Sequence, residues 1–370
     1  MKHLVPLLLI SLFLSIVHGS IYYVATDGND SSSGTLASPW ATIQKAANEL
    51  VSGDTVFIRG GIYYEKVTLN VSGSENEGYI NFLNYENETP ILDGTEIVVP
   101  EDYNGMFLIV DQNYIKIEGF EIRNYRTSIP DNIPVGINIR GASHHIQLRN
   151  NHIHNIETNA SVDNNLMGAD AHGIAVYGTS SNPINNIIID GNELHNLKLG
   201  SSEGLVLNGN VTVFTVSNNI IHDCDNIAID FIGFEDTSPD GNYDQARNGE
   251  VSDNIIFNIS SFGNPSYGDS YSAGGIYVDG GRDIIIERNI VYNSDIGIEI
   301  ASEHFGNATS FITIRNNLLY NNRMTGIAMG GYDSYRGSTE NCLIINNTLY
   351  HNDTLEDGNG EILLQFDTKY

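Results

Sequence analysis

The chain has 370 residues, 46 of them acidic and 17 basic, for a formal charge of −29. Such a surface repels phosphate backbones and anionic lipid, which argues against nucleic-acid and membrane-surface binding. Two cysteines exclude a disulfide scaffold and a cysteine-ligated zinc module, while 37 glycines, abundant Asn, Ile and Tyr and few Lys or Pro point to an all-β chain.

In chain order, residues 1–20 read as a secretory signal. Lys2 and His3 precede an apolar run over 4–17, and Val17-His18-Gly19 offers a small-residue cleavage site. That run of 14 residues is shorter than the roughly 20 that span a bilayer. The mature chain is therefore expected to start near Ser20 and to be exported, as a secreted or cell-surface protein. Sequons at Asn29, Asn70, Asn87, Asn159, Asn210, Asn258, Asn307, Asn346 and Asn352 permit glycosylation without requiring it. The spacing of Trp40, Ile43, Ala46, Ala47 and Leu50 predicts an amphipathic helix over 39–50. It would cap the open end of the strands that follow. Segments 54–69 and 79–92 alternate as strands.

From residue 115 a pattern repeats: apolar-x-apolar, two polar residues, usually Asn, then x-apolar-x-Asn. Its eight copies begin IKIEGFEIRN (115–124) and IQLRNNHIHN (146–155) and end with CLIINNTLYH (342–351). The seventh positions are Phe120, Asn151, Asn192, Asn219, Asn254, Asn289, Asn317 and Asn347, spaced 27 to 41 residues apart. Between copies stands Gly-apolar-x-apolar, as in GINI (136–139), GIAV (173–176), GLVL (204–207), NIAI (226–229), GIYV (275–278), GIEI (297–300) and GIAM (326–329). Each period holds three short alternating strands and no helical pattern. Such a triplet buries its apolar side only by stacking on its neighbours. The expected fold is one right-handed parallel β-helix over 21–370, of about ten coils. A β-propeller would need four antiparallel strands per blade and hairpin signals, which are missing. The terminal Asn that recurs in six copies (Asn124, Asn155, Asn196, Asn258, Asn293, Asn321) is expected to stack its amides from coil to coil and to take the left-handed conformation.

Segment 28–65 (GNDSSSGTLASPWATIQKAANELVSGDTVFIRGGIYYE), with the coil pattern behind it, resembles secreted β-helix polysaccharide-active proteins. These include pectate lyases, chondroitinase B, alginate lyase relatives and mannuronan C5-epimerases. The resemblance implies the fold and export. It leaves the reaction open, because the fold hosts lyases, hydrolases, epimerases and adhesins.

Alternation along the Gly-apolar-x-apolar strands sends every second residue outward. Stacked coils then form rows: Val135, His172, Glu203, Asp225; Asn138, Ala175, Val206, Ala228, Tyr277, Glu299; and Arg140, Tyr177, Asn208, Asp230, Asp279. A neighbouring strand adds Arg123, His154, His195, His222, Phe257, Tyr292, Tyr320 and Tyr350, read either as a packing stack or, at the histidines, as groove residues. Long loops at 156–171, 231–248 and 259–273 are expected to wall a groove that suits a polymer chain. Tyr243, Tyr267 and Tyr271 sit on those walls.

The expected site comprises His172, Lys198, Tyr177, Asp170 and Glu203 for catalysis, and Arg140, His195, Asn208, His222 and Tyr277 for substrate. Asp225, Asp230 and Asp279 are the metal candidates, because carboxylates on adjacent coils suit a hard cation such as Ca²⁺. The favoured reaction is β-elimination on a uronate polymer, which needs carboxylate neutralisation, a base for the C5 proton and an acid for the leaving oxygen. In the lyases that the chain resembles, a lysine at a strand or turn edge serves as base, which points to Lys198. Asp170-Ala171-His172 is similar to the Asp-Pro-His motif of mannuronan epimerases without its proline. That likeness implies His172 as base or carboxylate binder, Asp170 as its orienter and Tyr177 as proton donor. A hydrolase would use two carboxylates roughly 5 to 9.5 Å apart, such as Asp225 with Glu203 or Asp230. His172-Gly173 resembles the His-Gly step of polygalacturonases, but it precedes the acidic coils and no Arg-Ile-Lys follows. A non-catalytic carbohydrate-binding or adhesive surface protein is the remaining alternative. The expected partner is an acidic polysaccharide, met by a monomer. Cys224 and Cys342 lie four repeats apart, too distant for a disulfide, and are expected as free, mostly buried thiols.

Overall fold

The computed structural model describes residues 19–161 and 168–369. The segment expected to be a secretory signal lies almost wholly outside the described residues. From Ile21 onward the chain winds as a parallel β-helix of three sheets. One coil runs through Gly274–Asp279 in the first sheet, Arg282–Glu287 in the second and Ile290–Tyr292 in the third, then re-enters the first at Ile296–Ala301. Each strand pairs in parallel with its counterpart one coil away. The first and third sheets carry ten strands each and the second fourteen.

Period-2 alternation explains the interior. Ile137, Ile174, Leu205, Ile229, Ile276, Ile298 and Ile327 are register partners in the first sheet and all face the buried core. The core runs unbroken from Val24 to Met329. The capping helix is shorter than the sequence pattern suggests, covering Ile43–Glu49. Thr42 caps it, and its first N–H groups donate to Glu65 at 2.8 and 3.0 Å. Those bonds satisfy donors that a helix start leaves unpaired. Trp40 stays outside the helix and stacks on Tyr22 at 4.7 Å.

The two recurrent asparagines exchange the roles expected of one. The terminal Asn residues do adopt positive φ, from 51° at Asn196 to 59° at Asn124. The continuous amide ladder, however, belongs to the seventh position. Asn151, Asn192, Asn219, Asn254, Asn289 and Asn317 each donate from backbone N–H and side-chain amide to Oδ1 of the next Asn, at 2.9–3.0 Å. These side chains point inward at the turn between second and third sheets, where a buried amide must find partners.

Register corrects a second expectation. Ile229 pairs with Leu205 and Ile276, and Asp230 pairs with Val206 and Tyr277. The strand of this coil is therefore Ala228-Ile229-Asp230-Phe231, two residues later than NIAI. Asp230 moves into the middle row and Asp225 falls in the preceding turn. Both cysteines are free, Cys224 buried and Cys342 partly so. Among the described residues, no helix is long and apolar enough to cross a membrane.

Candidate active site

The outer face of the first sheet carries the polar concentration. Its middle row reads Asn138, Ala175, Val206, Asp230, Tyr277, Glu299 and Ala328. Tyr177 and Asn208 are register partners in the next row. At the edge, Gly173 N–H donates to the Gly204 carbonyl, which sets His172 beside Glu203.

His172 is 1% exposed. Its Nδ1 lies 3.0 Å from the Glu203 carbonyl, a contact that assigns the ring proton to Nδ1. Nε2 then carries the lone pair, and the Tyr177 hydroxyl donates to it at 3.5 Å. The Glu203 carboxylate lies 3.6 Å from the same Nδ1. Burial pushes the imidazole down to about 4, against the Asp170 charge and the Glu203 carbonyl, which favour the charged ring. His172 touches Tyr177 (9% exposed) and Glu203 (8%), which lie nearer the groove surface. Asp170 is not the residue that orients it: its Oδ1 accepts from the hydroxyls of Ser201 at 2.6 Å and Ser202 at 2.9 Å. Glu203 performs that role.

Along the same face, burial lifts every strand carboxyl. It raises Glu203, reinforced by the charges of Glu235 and Asp170. It raises Asp230, reinforced by Glu203 and Asp279. Burial and the Glu303 charge raise Asp279, and push Glu299 up to about 8. Like charges so close cannot all ionise. Asp230 Oδ1 is buried and has no hydrogen-bond partner. Two loop carboxylates complete the cluster. Glu235 accepts from Asn208 Nδ2 at 2.7 Å, and Glu303 N–H donates to Asp279 Oδ1 at 2.7 Å. One ligand atom from each of Glu235, Asp279 and His304 lies within 4.8 Å of the others. The carboxylate oxygens of Glu235 and Asp279, with the orphaned Asp230 Oδ1 on the same face, suit a hard dication, and His304 is the one nitrogen donor beside them.

The loop at 259–273 walls this face. Asp295 Oδ2 accepts the N–H groups of Ser261, Ser272 and Ala273, closing the loop at its base. Asn264 reaches over the shorter coils and donates to the carbonyls of Gly200 and Asp225, both at 2.7 Å. Beneath it opens a cleft of about 390 Å³ lined by Asn226, Tyr267, Tyr277, Glu299, Glu303 and Tyr332. Tyr271 stacks on Phe262 at 4.7 Å, and Tyr243 is half exposed on its own loop.

Four of the expected residues stand elsewhere. Lys198 is 56% exposed on the turn from third to first sheet, where its Nζ donates to Asn159 at 3.2 Å and pairs with Glu157. Asp225 shares that turn. It accepts from Leu199 N–H at 2.6 Å, and burial pushes it up to about 6. The metal set Asp225, Asp230, Asp279 is therefore divided by the register shift. His195 and His222 lie on the outer face of the third sheet, in a ring stack running from His154 through Phe257 and Tyr292 to Tyr320, with centroids 4.7–5.1 Å apart. Arg140 stays at the groove, its guanidinium 5.9 Å from the Tyr177 ring. Sequence reasoning missed Glu235 and Glu303, because they sit just beyond the strands in loops of irregular length.

The sequence profile of the Pel9A-like right-handed β-helix region matches residues 22–325. The chain belongs to that family. It is 44% identical to the uncharacterised protein YwoF of Bacillus subtilis strain 168 over 351 residues, 95% of this chain and 73% of YwoF. It is 29% identical to the pectate lyase PEL9 of Emericella nidulans over 208 residues, 54% of this chain and 48% of PEL9. The GH136 lacto-N-biosidase of Eubacterium ramulus superposes with a TM-score of 0.61 at 16% identity, covering 94% of this chain and 68% of the enzyme. That last likeness is one of fold. The right-handed solenoid of family and chain agree.

Proposed function

We propose that this protein is an exported enzyme that cleaves an acidic, uronate-containing polysaccharide by β-elimination in the first-sheet groove, acting as a monomer. The observation that carries the reading is the convergence of Glu203, Asp230, Asp279, Glu235 and Glu303 on one solenoid face, with Asp230 Oδ1 unpartnered. Kinship with a pectate lyase over half the chain supports it, and the apolar segment 4–17 supports export. Asp230, Asp279 and Glu235 would hold Ca²⁺, which supplies neutralisation of the sugar carboxylate.

The chain's own groups then move the protons. Tyr177 passes its proton to His172 Nε2 and takes the C5 proton of the sugar. The C4–O bond breaks as the C4–C5 double bond forms, and Glu203, held neutral by burial, protonates the leaving oxygen. Solvent then returns a proton to Glu203 and removes the Nε2 proton of His172, which restores both groups for the next turnover. Tyr267, Tyr277 and Tyr332 offer ring faces to sugars in the cleft.

A hydrolase is the second reading, favoured by Glu299 at about 8, a carboxyl still protonated near neutral pH as a general acid must be. Mixing the protein with polygalacturonate, alginate or chondroitin separates the two. β-Elimination gives calcium-dependent absorbance near 235 nm, lost at least about 100-fold in Tyr177→Phe and Glu203→Gln. New reducing ends without that absorbance would establish the hydrolase, and neither signal on any polymer would remove the enzyme reading.

A further inference from the structure

A second polar cluster lies on the outer face of the third sheet. Residues two apart on a strand point the same way, and parallel pairing stacks them from coil to coil. Glu121, His152 and Glu193 form one row, and His154, His195 and His222 form the row beside it. His152 Nε2 and His195 Nε2 approach to 2.7 Å. One ligand atom from each of His152, Glu193 and His195 lies within 4.8 Å of the others, as does one from each of Glu121, His152 and His154.

The outer rings hold the carboxylates of this face in place. His222 presents Nδ1 to Asp223 at 2.7 Å and Nε2 to Glu193 at 3.3 Å. His154 presents Nδ1 to the Asn155 side-chain oxygen at 2.7 Å and Nε2 to Glu121 at 3.2 Å. Burial lowers His152 and His195, and the carboxylate of Glu193 opposes that shift in both. The 2.7 Å approach of His152 Nε2 to His195 Nε2 holds at most one proton between them, and a dication there would take both lone pairs and offset the Glu193 carboxylate.

We propose that His152, Glu193 and His195 bind a borderline transition-metal dication of the Zn²⁺ class, clamping two adjacent coils away from the groove. Imidazole with carboxylate suits Zn²⁺ and its neighbours, whereas Ca²⁺ takes oxygen ligands. Ring stacking explains the row of His154, His195 and His222, which continues into Phe257. Ring contacts reach His152 as well, tilted against His154 and His195, but they do not explain why it lies between two glutamates. In a solenoid each coil touches only its neighbours, so ligands drawn from successive coils would staple them.

The test uses the untagged chain, stripped by chelator and titrated with ZnCl₂ in excess Ca²⁺, which occupies oxygen-only sites. Calorimetry and thermal melting are expected to show one Zn²⁺ per chain and a zinc-dependent rise in Tm. His195→Phe keeps a flat ring in the stack, as Phe257 does in the next coil. It should weaken Zn²⁺ binding at least about tenfold and remove the Tm rise. His152→Gln should do the same, and His304→Ala should bind like the parent. Absence of zinc binding, binding unchanged in His195→Phe and His152→Gln, or binding lost in His304→Ala would each overturn the proposal.

Discussion

Glu299 shows what the groove does to a single carboxyl group. Its ordinary value is 4.5, and burial with the Glu303 charge lifts it to about 8. A group raised in the fold contributes stability that is complete below its unfolded value and lost as pH rises through the folded one. Chelated protein should therefore lose melting temperature between about pH 4.5 and 8, and Glu299→Gln should lose less across that window. His172 acts with the opposite sign. Lowered from 6.5 to about 4, it withdraws stability as pH falls through that range. The two windows overlap below pH 6.5, so the Glu299 effect is cleanest between 6.5 and 8. A parent whose melting temperature is flat across 6.5–8 would mean that these carboxyls ionise freely.

Among elements, the asparagine ladder ties successive coils together at the turn between second and third sheets. Asn254 donates its amide to the Val216 carbonyl and to Asn289, and accepts twice from Asn219. Asn254→Ala would strand two buried donors of Asn219, so a loss of about 3 kcal/mol is expected in denaturant titration. A loss below about 1 kcal/mol would show that water replaces the amide. Phe120 begins the series and only donates: its N–H reaches Asn151 Oδ1 at 3.1 Å, while its ring packs edge-on to Phe107. Both recurrent asparagines were visible in the repeat. Which one is a buried ladder and which an exposed left-handed turn depends on the direction each Cβ takes at the corner. A repeat pattern does not contain that direction.

For the whole molecule, charge governs encounter with substrate. A chain of net charge −29 repels a polyanion over the Debye length, about 30 Å at 10 mM salt and about 8 Å at 150 mM. If the polymer is acidic, raising salt across that range at fixed Ca²⁺ should lower KM several-fold with little change in kcat. A KM that rises with salt would indicate a locally positive groove and refute the repulsion argument.

The repeat, its three strands per period, the single solenoid domain and the free thiols were all legible from residue order. Each follows from periodicity: alternate side chains must bury, and a triplet of short strands buries them only by stacking. Tertiary structure alone decided which polar residues meet. His172, Tyr177, Glu203, Asp230 and Asp279 share the groove, whereas Lys198 and Asp225 occupy a turn and His195 and His222 another sheet. A two-residue slip at 226–231 was enough to move Asp225 out and carry Asp230 to the centre. Within a solenoid, neighbours are set by coil register and loop closure, and both depend on contacts some thirty residues away, which no local motif encodes.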